Sequence, residues 1–545
     1  MRRLLAAAMT VALAAIGAAA TQAQAESVRH KTGWFPQITW GTCTDASLLA
    51  RKAECGTLPV PIDYKDPEGP KADLAVSRIK HTVPDSKYQG VILVNPGGPG
   101  AKGQNLAVIG SLVPKNAGDA YDWIGFDPRG VGASTPELSC DHTYAGYNRP
   151  EYVPSTAAIE SAWLTKAEAY AKACARAGGS LLDHLKTQDT VRDMDSIRLA
   201  LGATQISFYG FSYGTYLGQV YATMYPSRVR RMVLDGNVDP TRVWYDSNLD
   251  QDLAFNRNIK IYFGWVAKYN QIFHLGRTAE AVQRLYYAQR TKLDAAPAGG
   301  VIGSSEFTDV FLQAGYYVFG WEEIANAFSA WVNKHDPKPL KSLYDRNNPP
   351  GKDADNGYAI YLAVQCTDAA WPTSWTKWSS DNWAMHRRAP FETWANAWYN
   401  APCRTWPAKA GVPTSVSGET VPPILLLSET NDAATPFSGS LEVRKQFPKA
   451  ALIEGVGGTT HAGSLFGDDC VDNAVAAYLA GGVVPKRKKG DRSDKHCAPL
   501  PPPNPLNGAS TAKRAAADQT RLLLEREIAG ITGDSKPGNG PRSPR

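Results

Sequence analysis

Short apolar segments alternate with amphipathic ones along the first 240 residues. Residues 90–94 form a continuous apolar run, which is typical of a strand buried on both faces. Residues 189–202 have apolar positions about one turn apart and end in Gly202, which predicts an amphipathic helix. Apolar or alternating runs predict further strands at 57–61, 72–79, 123–127, 205–209, 231–235, 424–428 and 451–454. The pattern predicts an α/β fold with one main sheet.

The pattern changes between residues 241 and 415. Helical segments rich in aromatic residues replace the strands, and seven tryptophans lie between Trp371 and Trp406. The simpler interpretation is a helical core, and the alternative is a cap that supplies an apolar substrate pocket. Both can hold, because a cap needs a core of its own. The sequence therefore predicts a sheet formed by residues 26–240 and 416–498, interrupted by a large, mainly helical cap.

The two ends of the chain differ from its body. Residues 1–25 have a positive start, a short apolar stretch and a final Ala-Gln-Ala, which predicts a signal peptide cleaved after Ala25 and a secreted, extracellular protein. The small-residue site and the polar sequence after it weigh against a membrane anchor. Residues 499–545 are rich in Pro, then in Ala, Arg and Glu, then in Gly, Pro and Ser. We expect this tail to be largely disordered, with one helix near 515–528.

The composition limits the classes of partner. Hydrophobic residues make up 43% and charged residues 20% of the 545, as in an ordinary globular protein. The net charge of +6 is small for this length and does not favour nucleic acid binding, and the basic run at 486–489 is typical of a solvated loop. No later apolar run is long enough to cross a membrane. We expect a monomer with no membrane contact after cleavage.

Eight cysteines follow the predicted cleavage site, and export permits disulfides. Connectivity does not follow from sequence, but pairing of neighbours is the simplest pattern. It joins Cys43 to Cys55, Cys140 to Cys174, Cys366 to Cys403 and Cys470 to Cys497. A zinc site is the alternative, and the chain lacks the C-x-x-C or paired His that it needs. We expect neither a metal nor an organic cofactor.

The motif Gly-Phe-Ser-Tyr-Gly at 210–214 lies between a predicted strand and a predicted helix. In that context G-x-S-x-G is a nucleophile elbow, because its sharp turn leaves no room for side chains two residues before or after the serine. A tight turn that contains serine by chance is the less favoured alternative. Ser212 is therefore the expected nucleophile, and the N–H of Tyr213 is an expected oxyanion donor. The motif favours an α/β-hydrolase fold.

The glycine-rich segment 95–100 directly follows the buried strand at 90–94. A phosphate-binding loop is excluded, because the Lys-Ser/Thr of a P-loop is missing. Its position before the elbow suits the second oxyanion donor, which we assign to Gly98.

A serine nucleophile needs a base and an orienting acid, in the chain order Ser, acid, His. His461 lies in a glycine-rich loop after the last predicted strand, whereas His496 lies in a charged segment and suits a structural or exposed role. The preceding loop offers Glu429 and Asp432. Asp432 is favoured because Ala-Ala-Thr-Pro follows it, and Asp235, at the end of an earlier strand, is the second choice.

The chain resembles the secreted bacterial tripeptidyl aminopeptidases, relatives of the prolyl aminopeptidases among the α/β-hydrolases. The matching segments are 95–100, 125–132, 212–218, 248–252, 366–369, 432–436 and the loop around His461. The resemblance implies Ser212 as nucleophile, Asp432 as acid, His461 as base, and release of short peptides from free N-termini. The chain departs from this family at 101–103, at Gln365, where similar proteins carry an acid, and in the tail after about residue 500.

Three functions are compatible with these residues. The leading hypothesis is a secreted serine exopeptidase that releases short peptides, with tripeptides expected, and acts on peptide or protein N-termini. Asp250, Asp252 and Asp368 are then candidates to bind the substrate ammonium, although each is also expected to cap a helix or pair with an arginine. The second hypothesis is a carboxylesterase or lipase-like enzyme with the same triad. A binding protein on an inactive hydrolase fold is disfavoured, because no triad member is lost.

Overall fold

The structure is a computed structural model that describes residues 35–506. The predicted signal peptide at 1–25 and the predicted helix near 515–528 lie outside the described residues. Within the described part, no helix is long and apolar enough to cross a membrane.

The strands form one sheet in the order β1-β2-β3-β5-β4-β6-β7-β8-β9-β10. Strands β1, β2, β3 and β5 pair antiparallel, and the remaining pairs are parallel. Their bounds are β1 Thr39–Thr42, β2 Glu54–Pro61, β3 Lys71–Ile79, β4 Val91–Asn95, β5 Asp122–Phe126, β6 Ile206–Phe211, β7 Val229–Asp235, β8 Leu425–Glu429, β9 Ala451–Gly455 and β10 Lys495–Cys497.

The helices fall into a body set and a cap set. Those of the body are α1 Ala46–Ala50, α2 Ala157–Gly178, α3 Thr187–Ala200 and α4 Tyr213–Met224. The cap, between β7 and β8, holds α5 Tyr245–Lys268, α6 Asn270–Phe273, α7 Ala279–Ala295, α8 Ser304–Tyr316, α9 Trp321–Lys334, α10 Lys338–Asn347, α11 Lys352–Asp368, α12 Trp375–His386 and α13 Thr393–Asn400. The body resumes with α14 Phe437–Gln446 and α15 Asp469–Gly481.

The α/β-hydrolase fold with a helical cap is confirmed, and each predicted strand corresponds to an observed one. The two edge strands, β1 and β10, are not predicted. They are short and polar, with the sequences Thr-Trp-Gly-Thr and Lys-His-Cys, so they lack an apolar run. Since an edge strand has one neighbour and one solvent-facing side, its pairing does not require apolar residues.

The cap has its own core but also shares packing with the body. One apolar cluster of the cap gathers around Phe255, Phe311 and Phe328. Helix α11 and Trp378 instead join the main core under the sheet. Trp398 of α13 stacks on Trp163 of the body helix α2, with ring centroids 5.8 Å apart. The cap is therefore fastened along one side.

All four disulfides join the neighbouring cysteines that the sequence predicts. Cys366–Cys403 ties α11 to the turn after α13 within the cap. Cys470–Cys497 ties α15 to the edge strand β10. These crosslinks restrict the unfolded chain, and each contributes typically about 2–4 kcal/mol.

A buried ion pair holds the loop after β5. The guanidinium of Arg129 donates to both carboxylate oxygens of Asp193, with N–O distances of 2.7 and 2.6 Å. Its remaining N–H groups donate to the backbone carbonyls of Pro61, Ile62 and His184. Both side chains are fully buried, so removing one partner leaves the other charge uncompensated.

We expect Asp193→Ala to lower the free energy of unfolding by about 3–5 kcal/mol, because Arg129 would remain buried without its counter-ion. Urea unfolding followed by fluorescence measures this. The control is Glu323→Ala, which removes the exposed pair with Arg346 and should cost no more than about 1 kcal/mol. Equal losses in the two variants would contradict the role of the buried pair.

Candidate active site

Ser212 occupies a strained turn between β6 and α4. Its backbone has φ 54° and ψ −127°, and residues other than glycine rarely adopt such a positive φ. A Cβ on Gly210 would lie 2.5 Å from the carbonyl oxygen of Gly214. A Cβ on Gly214 would lie 2.7 Å from the carbonyl oxygen of Asn95. The crowding that explains the motif is therefore present, and the serine side chain is left partly exposed.

The glycine-rich loop after β4 packs against this turn. A Cβ on Gly97 would lie 2.8 Å from the Cβ of Ser212 and 3.0 Å from the amide nitrogen of Tyr213. Gly98, also at positive φ, lines the same cavity as Ser212 and Tyr213. The loop thus has the place that a second oxyanion donor requires. Assignment of the Gly98 and Tyr213 N–H groups as donors stays a prediction.

The structure brings His461 and Asp432 together in a buried pair. Nδ1 of His461 lies 2.8 and 3.0 Å from the two carboxylate oxygens of Asp432. Thr435 donates to that carboxylate from its N–H and its hydroxyl, each at 2.9 Å. The carboxylate is thus fixed from two sides. It holds the imidazole so that Nε2 is available as a base.

The two other candidate acids have different partners. Asp235 accepts hydrogen bonds from the N–H and the hydroxyl of Ser464, and burial raises its pKa. Glu429 accepts from the N–H groups of Thr460 and Leu500, and burial raises its pKa to about 8. Neither carboxylate hydrogen-bonds to His461. Both hold the loop that carries it.

His496 lies apart from this cluster. It belongs to the edge strand β10, is exposed, and faces Glu454 at 3.7 Å. This agrees with the structural or exposed role that the sequence predicts for it.

The cap also holds the backbone of His461, through a contact that no sequence motif predicts. The N–H of His461 donates to the carbonyl oxygen of Tyr316, the last residue of α8, at 2.8 Å. The rings of Tyr316 and Tyr317 lie 6.0 and 6.4 Å from the imidazole, measured between centroids. The cap therefore takes part in orienting His461.

Ser212 and His461 line a cavity of about 460 Å³ between the body and the cap. This volume lies within the usual range for small-molecule pockets. Many of the residues that line the cavity are aromatic, and the body and the cap both contribute them. They include Tyr144, Tyr152, Trp163, Trp244, Phe255, Tyr316, Tyr317, Tyr358, Tyr361, Trp398 and Tyr399. Of the seven tryptophans between Trp371 and Trp406, only Trp398 lines the cavity, and the others pack in apolar clusters.

Of the three predicted ammonium-binding aspartates, only Asp250 lines this cavity, and Arg242 already pairs with it. Asp252 is buried beside Asn396, which donates to it at 2.9 Å. Asp368 accepts from the N–H of Thr187 at 2.7 Å and from the indole of Trp244 at 3.2 Å. Burial raises the pKa of Asp368 to about 6. All three carboxylates thus have protein partners: Asp250 pairs with an arginine, Asp368 accepts from the first N–H of α3, and Asp252 accepts from an amide side chain.

A fourth carboxylate, Glu392, was not predicted. It lines the cavity just before α13 and is only 5% exposed. Among residues 35–506, no group hydrogen-bonds to its carboxyl oxygens and no cation pairs with them. Burial, together with the charges of Asp252 and Asp309, raises its pKa well above the usual value. Gln365, where an acid was expected, lines the same cavity.

Comparison with known proteins agrees with this geometry. The family described as "alpha/beta hydrolase fold" matches residues 90–467. The chain belongs to the α/β-hydrolase family. With its elbow serine and buried His–Asp pair, this α/β-hydrolase is a serine hydrolase.

Several curated α/β-hydrolase relatives match most of the chain. A "Tripeptidyl aminopeptidase" of Streptomyces lividans is 39% identical, over 86% of this chain and 88% of that protein. "Serine protease Hip1" of Mycobacterium tuberculosis is 29% identical, over 82% of this chain and 89% of that protein. "Carboxylesterase B" of the same organism is 30% identical, over 83% and 89% respectively. The names of these relatives thus include both peptidases and an esterase.

We expect Ser212→Ala and His461→Ala each to abolish turnover by this hydrolase, and the double variant to be hardly slower than either single one, because triad members act as a unit. Asp432→Asn should lose about four powers of ten in kcat, since the amide favours the wrong imidazole tautomer. Steady-state rates with circular dichroism as a control for folding test this. Near-normal activity of Asp432→Asn would redirect the role of acid to Asp235 or Glu429.

Glu429 should make the stability of this hydrolase depend on pH. Between its ordinary pKa of 4.5 and the folded value of about 8, the folded state holds a proton that the unfolded state releases. Stability from this group is therefore lost as pH rises through that window, by at most about 1.4 kcal/mol per pH unit. Glu429→Gln should remove this slope.

Urea unfolding of wild type and Glu429→Gln at pH 5.5 and 7.5 gives the comparison. Wild type should lose about 2 kcal/mol more than the variant between the two pH values. Glu323→Gln, at an exposed position, controls for the change in net charge. Parallel pH profiles for wild type and Glu429→Gln would show that Glu429 does not titrate in this window.

Proposed function

We propose that this serine hydrolase is a secreted exopeptidase that releases short peptides, with tripeptides as the expected product, from free N-termini. The observation that carries the proposal is Glu392, a buried carboxyl group in the same cavity as Ser212 and His461, for which residues 35–506 supply no counter-ion. The similarity to a tripeptidyl aminopeptidase supports it. Peptide or protein N-termini are the proposed substrates.

The proposed reaction is acyl transfer in two steps. His461 takes the proton of the Ser212 hydroxyl while its oxygen attacks the scissile carbonyl, and Asp432 stabilises the resulting imidazolium. The N–H groups of Gly98 and Tyr213 bind the oxyanion, and loss of one such donor costs about 3–4 kcal/mol. His461 then protonates the leaving amine, and water, activated by the same base, hydrolyses the acyl-enzyme.

Recognition of the free N-terminus is assigned to Glu392, and not to Asp250, Asp252 or Asp368. Ionising Glu392 without a nearby cation is unfavourable, because its carboxyl group is desolvated and lies near two other acids. An ammonium group that enters the cavity supplies the missing counter-ion and favours the charged form. A hydrogen bond to such a charged group contributes about 1.5–3 kcal/mol, which a blocked N-terminus or an internal segment of chain cannot gain.

A carboxylesterase is the second candidate. The aromatic walls of the cavity favour apolar acyl groups, and one relative is named Carboxylesterase B. The same triad and oxyanion donors hydrolyse esters. In an esterase, however, Glu392 would have no charged ligand to meet.

Secretion is proposed from two features. Residues 1–25 have the pattern of a signal peptide. The four disulfides fit an oxidising compartment. Detection in culture medium of a mature protein that begins at Glu26 would support both secretion and the cleavage site. The monomeric state stays a prediction.

We expect kcat/KM on a free tripeptidyl amide to exceed that on the same substrate with an acetylated N-terminus by at least tenfold, because only the free amine gains the Glu392 contact. Glu392→Gln should lower kcat/KM on the free substrate by about one to two powers of ten. Its rate on a simple acetate ester should change little. Aminoacyl and dipeptidyl amides, measured beside the tripeptide, give the preferred length.

Asp250→Asn is the matched control, since it neutralises a second carboxylate of the cavity that Arg242 already pairs with. It should lower kcat/KM less than Glu392→Gln does. Equal rates on blocked and free peptides would remove the aminopeptidase proposal. Faster turnover of esters than of any peptide would favour the carboxylesterase.

A further inference from the structure

The chain does not leave the body after its last strand. Residues 498–503, which we call the C-terminal strap, run from β10 toward the cap. The N–H of Leu500 donates to Oε1 of Glu429 at 2.8 Å. The indole N–H of Trp265, on the cap helix α5, donates to the carbonyl oxygen of Pro503 at 3.0 Å. These contacts differ from the disordered tail predicted from residue 499 onward.

The strap reaches the loop of the catalytic base through one carboxyl group. Oε2 of Glu429 accepts a hydrogen bond from the N–H of Thr460, the residue before His461. A Cβ on Gly458 would lie 2.4 Å from Cδ of Glu429 and 2.5 Å from Cβ of Pro499. The glycine loop therefore lies closely between Glu429 and the strap, with no room for a side chain.

The strap also contacts the cap core. The side chain of Leu500 packs against the apolar cluster that contains Phe255 and Phe311. Its Cδ1 would lie 3.3 Å from a Cβ on Gly463, two residues after His461. Leu500 thus contacts both the cap and the far side of the loop that carries the base.

We propose that Glu429 and the C-terminal strap position His461 for proton transfer, as a clamp that joins the end of β8, the loop at 457–463 and the cap. Glu429 is a positioning residue, because it contacts neither Ser212 nor the imidazole and acts through Thr460. Proton transfer to a base depends on geometry, and a shift of about 1 Å in a catalytic group can cost a hundredfold in rate. The proposal concerns the position of His461 and not the substrate, so it holds for a peptidase or an esterase.

The test disrupts the clamp at Leu500. Leu500→Pro deletes the N–H that donates to Glu429 and replaces the side chain that packs against the cap core, and the neighbouring prolines already suit an extended backbone. Leu506→Pro is the matched control, because it deletes the N–H of an exposed residue beyond the strap, which donates to Asn504. The readouts are the second-order rate of Ser212 labelling by a fluorophosphonate probe, and kcat and KM on an acetate ester.

We expect Leu500→Pro to lower both the labelling rate and kcat about tenfold, with KM within about twofold of wild type. Leu506→Pro should keep the wild-type values. A chain that ends at Ala498 should behave like Leu500→Pro, whereas a chain that ends at Leu506 should behave like wild type. Thermal unfolding of each variant shows which of them fold.

A merely stabilising role gives a different result. Leu500→Pro and the chain ending at Ala498 would then unfold at lower temperature but label Ser212 at the wild-type rate, and this outcome would overturn the proposal. If neither protein folds, Trp265→Phe still tests it, since it keeps a ring in place and removes only the donor to Pro503. A wild-type rate of Ser212 labelling in Trp265→Phe would then contradict the proposed role of the strap in positioning His461.

Discussion

The constraint on which the site depends is the sharp turn at Ser212. Its positive φ holds only because glycines at 97, 210 and 214 let three backbone segments approach within contact distance. The N–H of Ser212 donates to the carbonyl oxygen of Asp235 at 2.9 Å, which ties the turn to the neighbouring strand β7. Such strain persists when the surrounding structure over-determines it. Here β4, β6 and β7 all contribute.

Buried carboxylates hold the other loops at the carboxyl edge of the sheet. Asp127, which follows β5, accepts from the N–H groups of Gly103 and Ala133 and so joins two loops. Asp235 and Glu429, the last residues of β7 and β8, hold the loop that carries His461. Only Asp432 contacts the imidazole. Asp127, Asp235 and Glu429 each accept hydrogen bonds from backbone N–H groups, which offset the cost of burying a carboxyl group.

The presence of several acids at the ends of neighbouring strands explains how much of the fold and the site the sequence predicts. Apolar runs locate the parallel strands, and the elbow motif locates Ser212, because both depend on neighbours in the chain. Asp235, Glu429 and Asp432 are harder to tell apart by sequence, since all three lie at or just after strand ends, where parallel strands bring loops together. Turn chemistry after Asp432 favoured the acid that does contact His461. Glu392 lies in no recognised motif, and only the three-dimensional structure shows that no group in the described part of the chain pairs with it. The carbonyl of Tyr316 is likewise contributed by a residue 145 positions before His461.

The hydrogen bond from His461 to Tyr316 has a consequence for motion of the cap. A wide swing of α8 away from the body would withdraw the carbonyl that anchors the backbone of the base. The conformations that admit bulky substrates are then those in which proton transfer is least well arranged. Opening of the cap would therefore lower the reactivity of His461, and a wide-open form of the protein would be a poor catalyst. The closed form, in which the hydrogen bond from His461 to Tyr316 is intact, would then be the reactive one.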